Sequence, residues 1–283
     1  SFAMSNVQVH CSLALHIGRP LPTIDSDARF YSRTMKEHGE EFMLACLLPV
    51  WQYALNLMGK SDDPAVLIGD ALKEEDIAKY PKKGMLKTWM AVYQMWLAYY
   101  FDHLELCCKL FSEVRDLETK TRAGYIVWRH ALIEGLVCFR LAQKTKKRNW
   151  KRRGMKIMEK IKKWVEKGNV NCIHILYLFE AEMAALEGKA DKAKQKYGDA
   201  LSLSSKIGFI HDKALIMERT GDFYFKVESD KYWPSHYLGL ARRFYNIWGA
   251  KAKADALVKK YPSIFQDCGA LAVARSVDRR ASY

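Results

Sequence analysis

The sequence predicts an all-α fold, a right-handed solenoid of about five helix pairs with an irregular N-terminal cap. Three observations lead to it. The 283 residues contain no Asn-Gly, Asp-Gly or Gly-Gly dipeptide, so the strongest signals for β-hairpins are missing. No proline lies between Pro81 and Pro234, which leaves that stretch free of the strongest helix breaker. Along it, apolar residues recur at three- and four-residue steps, the spacing of one helix face.

The N-terminal part is predicted to be helical after a short cap. Residues 5–26 contain one glycine and two prolines and are expected to form an irregular capping segment. Helical periodicity then runs over residues 27–58, as one helix or as two helices divided near Pro49. Gly59 is a plausible C-terminal cap, and a short helix is expected over residues 74–79.

After Gly84 the chain is predicted to fold into helix hairpins. The expected pairs are residues 85–101 with 104–117, 121–143 with 149–167, 170–187 with 190–205, and 211–225 with 233–248, followed by a last helix over 251–260. We therefore expect one helical-repeat domain over residues 5–262, made of the cap (5–26), N-terminal helices (27–84) and hairpins (85–262), with residues 263–283 as a tail or linker.

Small residues recur in the first helices of three pairs. Gly135, Ala181 and Gly221 are separated by steps of 46 and 40 residues. In stacked helix hairpins, small residues are found where two helices cross closely, so these positions are predicted to lie at helix–helix contacts.

This spacing, together with four short motifs, resembles the tetratricopeptide-type (TPR-like) helical-repeat region of very large signalling proteins. The motifs are His16–Leu21, Asn56–Pro64, Ala214–Gly221 and Tyr245–Lys253. The ideal repeat has about 34 residues, so the units here are longer, and Cys107 and Pro234 stand where alanine is expected. In that family the region is similar to a linker and sensor between a STAND-type ATPase module and GAF and histidine-kinase modules. The resemblance implies that this chain is a fragment, with any ATPase or kinase activity outside it.

In such a solenoid the first helix of each pair lines a concave groove. Taking Met95, Gly135, Ala181 and Gly221 as equivalent predicts the inward-facing residues, and the groove is expected to be aromatic and basic at one end and acidic at the other. The predicted groove residues are Trp96, Tyr99, Tyr100, Arg129, Phe139, Arg140, Glu182, Glu218 and Asp222. The alternative is that several of them pack against neighbouring helices, as most buried aromatic residues do.

The net charge of +14 is concentrated in one element. Residues 144–167 hold twelve basic and two acidic residues, a net charge of +10, so the other 259 residues carry only about +4. Trp150, Gly154, Ile157 and Ile161 form an apolar stripe on this predicted helix, so its charges are not expected to be required for folding.

The densest charges define a predicted basic patch: Lys146, Lys147, Arg148, Lys151, Arg152, Arg153, Lys156 and Lys160. Three interpretations are open. The patch is a solvated helix face, a surface for an acidic protein partner, or a site for nucleic acid or an anionic lipid surface.

No catalytic motif is found in the sequence. Gly59-Lys60-Ser61 resembles the end of a phosphate-binding loop, but position 54 is alanine and no strand is predicted before it. His130 and Glu134 share a helix face without a second histidine to complete a metal site. We therefore expect no enzymatic activity, no cofactor and no metal.

The sequence favours a non-catalytic protein–protein interaction or regulatory scaffold module that binds a peptide or a neighbouring domain in its groove. The alternative is a nucleic-acid-binding helical repeat that uses residues 144–167. No apolar run reaches the roughly 20 residues of a membrane span, and the start lacks a secretory pattern. Seven cysteines without a CxxC motif fit a reducing compartment, so a cytoplasmic location is expected.

Overall fold

The structure, a computed structural model, describes residues 2–79, 84–115, 117–121 and 124–266. All regular secondary structure in these ranges is helical, with no strand, which confirms the all-α prediction. The helices are α1 Phe2–His16, α2 Leu21–Glu37, α3 Glu41–Met58, α4 Glu74–Lys79, α5 Met85–Tyr100, α6 Leu104–Val114, α7 Leu117–Thr121, α8 Tyr125–Thr145, α9 Arg148–Glu166, the 3-10 turn Val170–Cys172, α10 Ile173–Leu186, α11 Ala190–Ile207, α12 Ile210–Val227, α13 Tyr232–Trp248 and α14 Lys251–Lys260.

Helices that are adjacent in sequence pack together in pairs. The pairs are α2 with α3, α5 with α6, α8 with α9, α10 with α11, and α12 with α13. Tight turns join them. Gly188, between α10 and α11, has a φ of +71°, the left-handed conformation that ends many helices and that glycine adopts at little cost.

The first and second helices of these pairs form two layers. In α12, almost every residue from His211 to Tyr224 is buried, and α5 and α8 are buried in the same way. In α9, by contrast, only Gly154, Ile157 and Ile161 are buried. A helix that is covered on all sides belongs to the interior, whereas a single apolar stripe marks a surface helix. The first helices therefore form the interior layer.

The C-terminal helices close this interior by packing against the N-terminal part of the chain. The Trp248 indole donates a hydrogen bond to the Arg19 carbonyl at 3.1 Å. A side chain at Gly249 would meet the ring of Pro22. In α14, the Lys253 ammonium donates to the carbonyl of Tyr100 at 2.7 Å. These contacts join segments more than 150 residues apart in sequence.

The prediction of an irregular cap over residues 5–26 is wrong, because both α1 and α2 lie within or across it. Pro20 precedes α2 as its N-cap and Pro22 lies in its first turn. Proline is tolerated there because the first N–H groups of a helix have no partner within the helix. Both helices contribute to the core through Cys11, Leu15 and Ile24.

The predicted division near Pro49 is also wrong. Pro49 lies inside α3, and the break falls at residues 38–40, where Gly39 has a φ of +66°. By length and composition α3 is the one helix among those described that is apolar enough to cross a membrane, yet 72% of it is buried inside the protein. Its apolar composition is accounted for by this central position.

Two predicted boundaries near helix ends shift. The second helix of the first hairpin ends at Val114, and α7 begins at Leu117. Packing continues past residue 262, because the side chain of Ile264 is only 1% exposed. Residues 267–283 of the predicted tail lie outside the ranges that the structure describes.

The small residues do lie at close contacts. Ala181 is fully buried, and a side chain at Gly221 would approach Leu238 of α13 to 2.7 Å. Gly135 lies against Phe179 of α10 rather than against its own hairpin partner α9. The close approach of α9 to α8 uses Gly154, which lies against Phe139.

Candidate functional site

The predicted groove residues lie in the interior of the protein. Eight of the nine are buried, with side chains exposed by 5% or less: Trp96, Tyr99, Tyr100, Arg129, Phe139, Glu182, Glu218 and Asp222. Arg140 is the exception and is partly exposed. Most of these positions are therefore covered by neighbouring helices and do not line an open groove; Arg140 and Asp222 lie at the edge of this interior, where they line a cleft described below.

The chain's own C-terminal segment occupies the acidic end of this interior. The Lys253 ammonium donates to Glu218 Oε1 at 2.8 Å, and the Tyr261 hydroxyl donates to Asp222 Oδ1 at 2.6 Å. Burial acts to raise the pKa of Glu218, but the charges of Lys253 and Lys260, together with hydrogen bonds from Lys253 and Tyr245, outweigh it and lower the pKa. The carboxylates of Glu218 and Asp222 thus have intramolecular partners.

Two further ion-pair clusters fill the interior. The Arg219 guanidinium donates to both carboxylate oxygens of Glu182, at 2.7 and 3.0 Å, and to Asp222. Arg129 pairs with Asp212, which also contacts His174 Nε2 at 2.9 Å. These charges neutralise one another, as buried charges must. The two clusters act as structural groups.

The buried histidines are held neutral. Burial lowers the pKa of His16 and of His130 to about 4, and burial together with the nearby Arg129 lowers the pKa of His174 to about 3. His130 accepts a hydrogen bond from the Trp96 indole at 3.3 Å. The His130–Glu134 pair is therefore part of the core.

Nothing in the described ranges assembles a nucleophile or a metal site. Burial raises the pKa of Cys11 and of Cys46 to about 11, and that of Cys107 to about 12, so these thiols stay protonated near neutral pH. No group of three or more histidine, cysteine, aspartate or glutamate side chains there is arranged to hold a metal ion.

The predicted basic patch divides into two sets. Lys151, Arg153 and Lys160 form ion pairs with Glu187, Glu134 and Glu118, at 3.1, 2.7 and 2.6 Å. Arg153 also lies over the Phe111 ring at 3.9 Å. These three residues join α9 to its neighbours, and sequence alone does not separate them from the rest.

The other five patch residues are exposed and have no ion-pair partner among the described residues. Lys144, which the sequence analysis left out of the patch, shares these properties. We call these six residues the basic surface: Lys144, Lys146, Lys147, Arg148, Arg152 and Lys156. They follow one another from the end of α8 into the first turns of α9.

Lys146 has an unfavourable backbone conformation. It is the C-cap of α8 and has a φ of +56°. At the same position after α3, α11 and α13 the chain has Gly59, Gly208 and Gly249. A non-glycine residue in this left-handed region costs about 1–2 kcal/mol, and such strain is found most often at functional sites. Lysine is therefore less favourable than glycine at this backbone position.

A cleft of about 480 Å³ adjoins the basic surface where the C-terminal ends of α8, α10 and α12 meet. Its apolar lining consists of Leu104, Ala185, Leu186, Phe223 and Val227. Its charged lining consists of Arg140, Lys144, Lys146, Arg219, Lys226 and Asp222. Arg140 and Asp222 are predicted groove residues, but the apolar lining of this cleft is not predicted from the sequence, because it depends on which helix ends meet.

Comparison with protein-family models gives no matching family, and comparison with curated proteins gives no matching relative.

Proposed function

We propose that the chain is a non-catalytic interaction module of TPR-like type, a regulatory part of a larger signalling protein, and that it binds an acidic segment of a partner protein. The binding site is the basic surface at residues 144–156, outside the helical core. One observation carries the proposal: six exposed cations lie within residues 144–156, at the junction of α8 and α9, without ion-pair partners in the described part of the chain.

Two features support this interpretation over a merely solvated helix face. Three partly exposed cations of α9, Lys151, Arg153 and Lys160, pair with glutamates of neighbouring segments, whereas the cations of the basic surface have no such pair in the described ranges. The basic surface also includes Lys146, whose conformation would suit glycine better. The TPR-like origin rests on the adjacent helix pairs and on Gly221 at a close contact.

The second candidate function is nucleic-acid binding, and one observation favours it. Arg148, Arg152, Lys156 and Lys163 recur along the exposed length of α9, which a phosphate backbone could follow. Against it, Glu159 and Glu166 are exposed on the same helix and would repel phosphates.

Binding of two fluorescent probes tests the proposal. The probes are a labelled peptide of alternating glutamate and serine and a labelled single-stranded RNA of similar length. We expect the peptide to bind, and we expect the variant Lys146→Gln/Lys147→Gln/Arg148→Gln/Arg152→Gln to weaken binding mainly through slower association, because exposed charges steer more than they hold.

The matched control removes the same charge elsewhere. Lys36, Lys192, Lys206 and Lys259 are exposed, so their fourfold replacement by glutamine is expected to leave binding nearly unchanged. Equal weakening by the two variants would overturn the proposal, because it would indicate a net-charge effect. RNA binding that is tighter than peptide binding and falls steeply with salt would favour the second candidate.

A further inference from the structure

The cleft beside the basic surface is both apolar and accessible. Val227, the last residue of α12, is 49% exposed, although it lines the cleft together with Leu186 and Phe223. Its volume of about 480 Å³ lies within the range of ligand-binding clefts, about 300–1,000 Å³. The cleft is thus large enough for a bulky side chain.

The fold already neutralises most of the charges around the cleft. Arg140 pairs with Asp102, Arg219 pairs with Glu182, and Lys226 pairs with Asp222. Asp222, the one acidic residue of the lining, also accepts hydrogen bonds from Arg219 and from the Tyr261 hydroxyl. It is therefore fully partnered and does not repel an incoming acidic group by itself.

Two cations of the lining stay without an ion-pair partner in the described ranges, Lys144 and Lys146. Both also belong to the basic surface. The apolar lining and the free positive charge therefore form one continuous surface. Their combination matches a segment that has acidic residues on one side of a bulky apolar residue.

We propose that the cleft is the anchor pocket for this partner: it takes one large apolar side chain of the acidic segment, while the flanking carboxylates contact Lys144, Lys146 and the rest of the basic surface. This inference rests on the proposed function and specifies its ligand as an acidic peptide segment with a central aromatic or large aliphatic residue. In protein interfaces such a buried anchor contributes more to affinity than the charged rim.

Two peptides that differ at one position test it. The first is the labelled peptide of alternating glutamate and serine, and the second has phenylalanine in place of its central serine. We expect the phenylalanine peptide to bind about tenfold tighter or more, because its apolar ring is transferred from water into the cleft. With a benzophenone amino acid at the central position, photo-crosslinking should map to Leu186, Phe223 or Val227.

An uncharged substitution in the cleft separates the contribution of the apolar contact from that of the charges on the basic surface. Val227→Gln should remove most of the gain from phenylalanine and leave binding of the serine peptide unchanged, because no charge is altered. The matched control is Val170→Gln, which replaces a 63% exposed valine that does not line this cleft and should preserve the gain.

The outcomes distinguish the anchor pocket from the proposed function. If both peptides bind equally, or if Val227→Gln leaves the gain intact and crosslinks map elsewhere, the anchor pocket is wrong and the basic surface stands. If neither peptide binds, both proposals fail. Tighter binding of the RNA than of either peptide would overturn both in favour of nucleic acid.

Discussion

At the scale of single residues, a substitution at Lys146 should affect stability and peptide binding in opposite directions. It has a φ of +56° at the end of α8, where three other helices have a glycine. We predict that Lys146→Gly raises the free energy of unfolding by about 1 kcal/mol, because the left-handed conformation no longer costs energy. The same change should weaken binding of the acidic peptide. Urea unfolding and fluorescence anisotropy measure the two effects, and a loss of stability would contradict this account.

The buried histidines predict how stability depends on pH. Their pKa values in the folded protein, about 4 for His16 and His130 and about 3 for His174, lie below the ordinary value of 6.5. As the pH falls below 6.5 the unfolded chain takes up protons first, so the free energy of unfolding decreases. Each histidine contributes up to about 1.4 kcal/mol per pH unit until the pH passes its folded pKa.

Urea unfolding measured between about pH 7 and about pH 4.5 checks this slope. His38→Gln is the control, because His38 is exposed and its loss should leave the slope unchanged. A free energy of unfolding that stays constant over this range would show that the three histidines do not become buried in their neutral form.

At the scale of the helix, two glycines provide a matched test of packing. We predict that Gly221→Ala destabilises the protein by about 1–3 kcal/mol, because the new methyl group would approach the Leu238 side chain to 2.7 Å and its backbone nitrogen to 3.1 Å. Gly198 in α11 has no atom within 4 Å of that position, so Gly198→Ala should stabilise the helix by about 0.5–1 kcal/mol. Equal effects of the two changes would contradict the close contact of α12 with α13.

The charges of α9 should also separate into two classes. We predict that Arg152→Gln/Lys156→Gln changes the melting temperature little, because both side chains are exposed and unpaired in the described ranges. Arg153→Gln should destabilise the protein, because Arg153 pairs with the partly buried Glu134 and covers Phe111. The sequence predicts that none of these charges is needed for folding, and thermal unfolding of the two variants tests this. Equal melting temperatures would show that the Glu134 pair does not stabilise α9.

At the scale of the whole molecule, the closed interior depends on the C-terminal helix. Lys253 is only 3% exposed, and it bonds to the Tyr100 carbonyl and to Glu218. We predict that Lys253→Met costs about 3–5 kcal/mol, because it leaves the buried Glu218 without a cation. Lys259→Met, on an exposed position of α14, should change stability by less than about 0.5 kcal/mol. Adding Glu218→Leu to Lys253→Met should recover part of the lost free energy of unfolding. If the double variant is no more stable than Lys253→Met alone, lost packing rather than the unpaired charge accounts for the destabilisation.

Features of the fold that depend on neighbouring residues can be predicted from the sequence, whereas features that depend on contacts between distant parts of the chain cannot. The helices follow from apolar spacing, and the last one, residues 251–260, is predicted with its observed ends. The N-terminal segment was missed because a proline or glycine reads as a loop signal in sequence, whereas Pro20 and Pro22 here begin α2. Eight of the nine predicted groove residues are buried in the helical interior. Glu218 and Asp222 accept hydrogen bonds from Lys253 and Tyr261, contacts that join distant parts of the chain and leave no periodic pattern in the sequence.

The central claim is that the helical interior is closed and that the partner binds outside it, on the basic surface and the cleft. Hydrogen exchange followed by mass spectrometry, with and without the acidic phenylalanine peptide, tests both halves at once. In the free protein, segments around residues 93–100 and 214–224 should exchange slowly, and the peptide should protect residues 144–156 and 223–227. Fast exchange at residues 93–100, with protection there by the peptide, would show an open groove and contradict the account.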